Sequence, residues 1–176
     1  MPRLFTGLGL PPELAEELAL MRGGLTGARW IDVEDYHLTL RFIGDIDGET
    51  ADAVDEVMAG IHRKPFTVTL EGLDHFGGDK PRAIVAKAQP GTPLLELQAE
   101  QERLLRRIGL PAEPRRFVPH VTLARMRHVS QTAVAHYLGT RGFLTRRFEA
   151  TSFNLYSSRD SVGGGPYVIE TSYPLA

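Results

Sequence analysis

The chain contains no cysteine, which excludes disulfide scaffolds, thiolate nucleophiles and every Cys-ligated zinc or iron–sulfur site. No uninterrupted apolar run approaches the ~20 residues of a membrane-spanning helix, and the opening MPRLFTGLGLPPELAEE turns acidic before a signal-type stretch develops. A cytoplasmic, unprocessed protein with no membrane partner is the expectation. No HExxH string and no Asp/His cluster offers a metal site. Chemistry therefore falls to His, Asp, Glu, Ser, Thr, Tyr, Lys or Arg.

What is present suits one domain or two closely packed lobes: 176 residues, of which 42% are hydrophobic and 24% charged. The net charge of −2 hides a strong asymmetry. Residues 1–100 hold 9 Lys/Arg against 17 Asp/Glu, whereas residues 101–150 hold 10 against 3. All ten of the latter cations are Arg, whose planar fork suits phosphate, so an anionic partner is compatible with the acidic total. The plainer reading of Arg103, Arg106 and Arg107 is the wet face of a helix.

Hydrophobic periodicity predicts strand, helix, strand, helix, strand over Leu4–Leu10, Pro11–Met21, Asp35–Gly44, Gly48–Ile61 and Phe66–Leu73. From residue 82 the order returns. RAIVAKA is a strand, a helix capped by Thr92 follows, RFVPHVTLARM is a strand, a helix capped by Ser130 comes next, and RRFEATSFNLYSS reads as one strand. The second half thus repeats the first, which makes a pair of lobes rather than a solenoid.

The repeats share a tetrapeptide, His37-Leu38-Thr39-Leu40 and His120-Val121-Thr122-Leu123. About 0.06 such HxTL strings are expected by chance in this composition, so two at equivalent places are significant. On a strand, His and Thr two residues apart leave by one face while the apolar residues between them enter the core. An imidazole titrating near 6.5 can take a proton or give one, and two such rings about one ligand suit general acid–base displacement. The threonine hydroxyls can hydrogen-bond phosphoryl oxygens. A single strand histidine has a plainer reading as a hydrogen-bonded structural residue, and Trp30, His62, His75, His128 and His136 keep it.

The two HxTL elements, with Arg41-Phe42-Ile43-Gly44 after the first and Phe117-Val118-Pro119 and Ala124-Arg125 around the second, resemble those of the two-histidine (2H) phosphoesterase superfamily. Within it the chain is similar to the RNA 2′,3′-cyclic phosphodiesterases, once described as 2′-5′ RNA ligases. The resemblance implies an α+β fold in which two antiparallel β-sheets line a central cleft with helices on the outside. It implies a single domain over residues 1–176, made of pseudo-symmetric lobes near 1–80 and 81–176, with room for strands to be exchanged between them.

The implied activity is metal-independent and cofactor-free opening of a 2′,3′-cyclic phosphate at an RNA 3′ end to leave a 2′-phosphate. The implied partners are RNA ends or cyclic nucleotides, bound by a monomer. By the same resemblance His120 is the proton acceptor that activates water and His37 the proton donor to the departing 3′ oxygen, although swapped roles stay open. Thr39, Thr122 and Arg125 would hold the phosphate, and Phe42 would stack on the terminal base. Strand parity sets Arg125 apart from His120 and Thr122, so it reaches the cleft only if the strand has ended or twisted. Core packing is the plainer reading of Phe42. The segment SSRDSVGGGPYVIE is similar to a late hairpin of the family, but its spacing departs from the pattern and leaves Ser158, Arg159 and Tyr167 without a role. A binding module without turnover and RNA end-joining, the reverse reaction, are the alternatives.

Overall fold

Alternating burial along the two HxTL strands dictates the layering: Leu38, Leu40, Val121 and Leu123 are buried, while His37, Thr39, His120 and Thr122 stay partly exposed on the opposite face. In the computed structural model, residues 3–141, 145–158 and 166–176 are described. Nine strands and four helices follow in the order β1 (Arg3–Gly9), α1 (Pro12–Ala19), β2 (Ala28–Trp30), β3 (His37–Asp45), α2 (Gly48–Ala59), β4 (Phe66–Phe76), β5 (Ala83–Ala88), α3 (Thr92–Arg107), β6 (His120–Met126), α4 (Gln131–Thr140), β7 (Arg146–Ala150), β8 (Ser152–Ser158) and β9 (Val168–Pro174). The result is an α+β fold with an all-antiparallel sheet in the order β7-β4-β5-β6-β3-β1-β8-β9, to which β2 adds by pairing with β6.

The two expected sheets are thus one. Its halves, β7-β4-β5-β6 and β3-β1-β8-β9, meet through the single residue pair Leu38↔Val121. The first-half strand β4 pairs with β5, the opening strand of the second half, and β8 returns to pair with β1. Helices α3 and α4 pack on the face opposite the histidines, where fully buried Leu8, Leu97, Leu105 and Phe153 belong to one core. No helix among the described residues is long and apolar enough to cross a membrane.

Three local expectations need correction. The predicted strand RRFEATSFNLYSS breaks at Thr151, because its first part pairs with β4 in one half and its second with β1 in the other. The strand predicted over residues 116–126 begins only at His120, since Pro119 has no N–H for a ladder and the Val118 carbonyl is taken by the His120 ring. Helix α3 is preceded by extended Gly91 at its N-cap, with no side-chain cap, and Thr92 and Pro93 already lie in its first turn. Ser130 does cap α4, its Oγ accepting from the Ala133 N–H at 3.1 Å.

Candidate active site

The Leu38↔Val121 pair is the local axis of the site. In antiparallel register it sets His37 beside Thr122 and Thr39 beside His120, so both His-Thr pairs occupy adjacent strands on one face. They line a cleft of about 610 Å³ together with Phe42 and Arg125. All six residues singled out in the sequence therefore meet in one place.

Each imidazole is fixed by the same device. His37 Nδ1 donates to the Asp35 carbonyl at 2.9 Å, and His120 Nδ1 donates to the Val118 carbonyl at 2.6 Å, in both cases two residues back along the chain. A carbonyl only accepts, so the proton sits on Nδ1 and Nε2 is the position left for chemistry. In the neutral ring, His37 Nε2 accepts from the Thr39 hydroxyl at 2.9 Å.

The surroundings of the two rings differ. His37 touches Phe5, Tyr156 and Tyr167, whose ring centroids lie 4.9, 5.4 and 4.9 Å away. Burial there pushes its pKa down to about 4, with the charges of His120 and Arg125 acting in the same direction and the Asp35 hydrogen bond opposing. His120 meets Phe76 edge-on at 4.7 Å. Its pKa is also lowered, first by burial and then by Arg125 and Arg82, against the Val118 hydrogen bond. Each ring thus senses cationic neighbours.

The parity problem of Arg125 resolves into a β-bulge. Thr122 pairs with Val85 and Ala124 with Ile84, so Leu123 is an extra residue and Arg125 returns to the histidine face. The same irregularity recurs in β3, where Thr39 pairs with Gly7 and Arg41 with Thr6, leaving Leu40 as the extra residue and Phe42 on the cleft. Phe42 is 42% exposed, which excludes its reading as core. The neighbouring Arg41 is 5% exposed and bonds Glu102 and the carbonyls of Phe42 and Pro111, each at 2.5 Å, so it is a structural cation.

The site also holds residues that the sequence reading missed or left without a role. Arg3 and Arg82 line the cleft from the start of β1 and the approach to β5, and Phe76 from the end of β4. Asp35 supplies the His37 carbonyl contact and accepts the Tyr167 N–H on its Oδ1 at 3.2 Å. Ser158 and Tyr167 line the cleft from the two sides of the β8–β9 connection; Arg159 and Gly163–Gly165 lie outside the described residues. The aromatic wall from Phe5 and Tyr156 arises from the pairing of β1 with β8, which no sequence signal announces. Among the described residues no three His, Asp or Glu side chains group in a way that could hold a metal ion.

The chain is similar to known proteins in sequence and in fold. The model of the LigT-like phosphoesterase family matches the chain twice, over residues 8–86 and 85–167, one match per half. The RNA 2′,3′-cyclic phosphodiesterase of Aeropyrum pernix is 36% identical over 99 residues, which span 55% of this chain and 56% of that protein. The protein of the same name from Aquifex aeolicus is 30% identical over 154 residues, covering 82% of this chain and 81% of the relative. The crystal structure of Escherichia coli LigT complexed with 3′-AMP aligns over 99% of both chains with a TM-score of 0.79 and 25% identity.

Proposed function

Because the chain belongs to the LigT-like phosphoesterase family, we propose that it hydrolyses 2′,3′-cyclic phosphate ends of RNA to 2′-phosphomonoesters by two-histidine acid–base catalysis without a metal ion. One observation carries the reading: two imidazoles, each locked through Nδ1 to the carbonyl two residues back and each followed by a threonine, line one cleft about a common strand pair.

In this reading His120 Nε2 takes a proton from water as its oxygen attacks phosphorus. The P–O3′ bond breaks, and the proton on His37 Nε2 passes to the departing oxygen, leaving a 3′-hydroxyl and a 2′-phosphate. His37 must be protonated beforehand, and the incoming phosphate supplies the negative charge that favours imidazolium. Thr39, Thr122 and Arg125 then meet the phosphoryl oxygens as charge develops. Phe42, standing exposed at the rim, supports a stacking contact with the terminal base.

The test is incubation with 2′,3′-cyclic AMP in excess EDTA, with the product assigned by comparison to authentic 2′-AMP and 3′-AMP. Accumulation of 2′-AMP supports the proposal. Nucleotide retained without turnover would make the chain a binding module, and 3′-AMP would reverse the assignment of the leaving oxygen.

A further inference from the structure

The cleft does not end at the nucleotide-sized site. Gln98 lines both the catalytic cleft and a second depression of about 590 Å³ that runs along α3 past Glu102, Arg103, Arg106 and Arg107. Gln98, Glu102 and Arg106 succeed one another at four-residue spacing, so they form one row on the helix, with Arg103 and Arg107 in the row beside it. At 1.5 Å per residue the row extends ~12 Å from the cleft mouth. Where the cleft meets it stand Arg115 and Arg116, both exposed.

The charge of this track is not cancelled locally. Glu102 is committed to Arg41 and to the Glu113 N–H, and Glu113 to Arg115. Arg103 shares an exposed contact of 3.6 Å with Glu100, a weak pairing in water. Arg106, Arg107 and Arg116 form no ion pair among the described residues. In a chain of net charge −2, cations lined up from the histidine cleft along an exposed helix favour a partner with regularly repeated negative charge. A mononucleotide held between the two histidines would have nothing to place on α3.

Resting on the activity proposed above, we propose that the RNA strand upstream of the reacting 3′ end leaves the cleft past Arg115 and Arg116 and runs along α3, its phosphates held by Arg103, Arg106 and Arg107. The preferred substrate is then an oligonucleotide with single-stranded nucleotides before its cyclic end. Arginine suits this task because its planar fork grips phosphate, and contacts to phosphate hold a strand without reading its bases.

The experiment compares 2′,3′-cyclic AMP with a hexaribonucleotide bearing a 2′,3′-cyclic phosphate, using wild-type protein and the double variant Arg106→Gln/Arg107→Gln. Wild-type kcat/KM is expected to be higher and more salt-sensitive for the hexamer. The variant should lose about tenfold on the hexamer, flatten its log–log salt slope by ~1.4 for two lost contacts, and keep mononucleotide turnover within twofold. Equal salt slopes for the two substrates in wild type, or an equal loss on both in the variant, would overturn the track. If cyclic AMP is not hydrolysed at all, the activity reading fails separately. Fluorescence anisotropy with a labelled hexamer then tests the track alone, and an unchanged Kd in the variant would reject it.

Discussion

Phe42 and Arg125 occupy the same place in the two halves of the site: each stands five residues after its histidine, beyond a β-bulge at the last leucine of HxTL, and each lines the cleft. The duplicated backbone thus delivers an aromatic ring on one side and a guanidinium on the other. On the proposed function, this one side-chain difference gives a symmetric scaffold a base end and a phosphate end.

Truncating the two should therefore produce different kinetic signatures. On the proposed mechanism Arg125→Ala removes charge where the transition state gathers it, and it is expected to lower kcat/KM by about 10²-fold or more, chiefly through kcat. On the same reading Phe42→Ala removes a stacking surface and should raise KM by roughly 5- to 150-fold, a loss of about 1–3 kcal/mol, with kcat largely kept. Steady-state kinetics on one cyclic mononucleotide separates them. A kcat loss in the Phe42 variant as large as that of Arg125→Ala would deny the division of labour.

The lowered pKa of His37, about 4, makes two linked pH predictions. Its folded value lies below the 6.5 of the free ring, so protonation favours the unfolded chain. The unliganded protein should therefore lose stability as pH falls from 6.5 toward 4, measured as a denaturation midpoint at each pH. An anion in the cleft raises the value. Sulfate does not titrate in this range, and its affinity should grow as pH falls through the raised pKa and level off below about 4. NMR titration of the His37 ring with and without sulfate reads the shift directly, and an unmoved midpoint would separate His37 from the anion site.

The histidine and threonine pairs were legible because strand alternation is a short-range rule that His37-Leu38-Thr39-Leu40 and His120-Val121-Thr122-Leu123 both obey. Phe42 and Arg125 lie one bulge further on, and an extra residue in a strand leaves no mark in the sequence while reversing the face of everything after it. Arg3 and Arg82 reach the cleft, and Tyr156 the His37 ring, only through pairings between distant strands, so no local pattern announces them. The division of RRFEATSFNLYSS at Thr151 has the same cause. Both parts have strand composition, and only the change of pairing partner ends the first.

Gly7 tests how tightly the His37 wall is packed. A Cβ at this position would lie 2.8 Å from the Leu38 carbonyl oxygen, 3.3 Å from the Tyr156 ring and 3.5 Å from His37 Cδ2. The first of these is backbone at the axis of the site, so it cannot swing aside. Gly7→Ala is expected to destabilise the protein by about 1–3 kcal/mol and to reduce turnover by displacing His37. In Gly139, within α4, an added Cβ meets nothing within 4 Å. Gly139→Ala should stabilise by about 0.4–1 kcal/mol with activity unchanged. Denaturant midpoints and initial rates on the pair decide it, and a fully active Gly7 variant would show that β1 yields without moving the ring.

Asp35 links the His37 ring to the entry of β9, its carbonyl accepting from Nδ1 and its buried carboxylate from the Tyr167 N–H. Desolvation raises the carboxyl pKa, helped by Glu34 and Asp32 and opposed by the Tyr167 hydrogen bond. Its ionisation therefore costs more in the folded chain than in the unfolded one, and stability should fall as pH rises from 3.8 through the raised value. Asparagine keeps an acceptor and discards the charge, so Asp35→Asn is expected to be at least as stable as wild type at pH 7. Alanine leaves the Tyr167 N–H without that acceptor and loosens a ring whose centroid sits 4.9 Å from that of His37. Asp35→Ala should lose roughly 5- to 10-fold in kcat/KM, in line with one hydrogen bond, while Asp35→Asn stays near wild type. Measuring kcat/KM and thermal midpoints from pH 4 to 8 distinguishes the two. An asparagine variant as impaired as the alanine one would show that the site uses the negative charge of Asp35 and not its hydrogen bond.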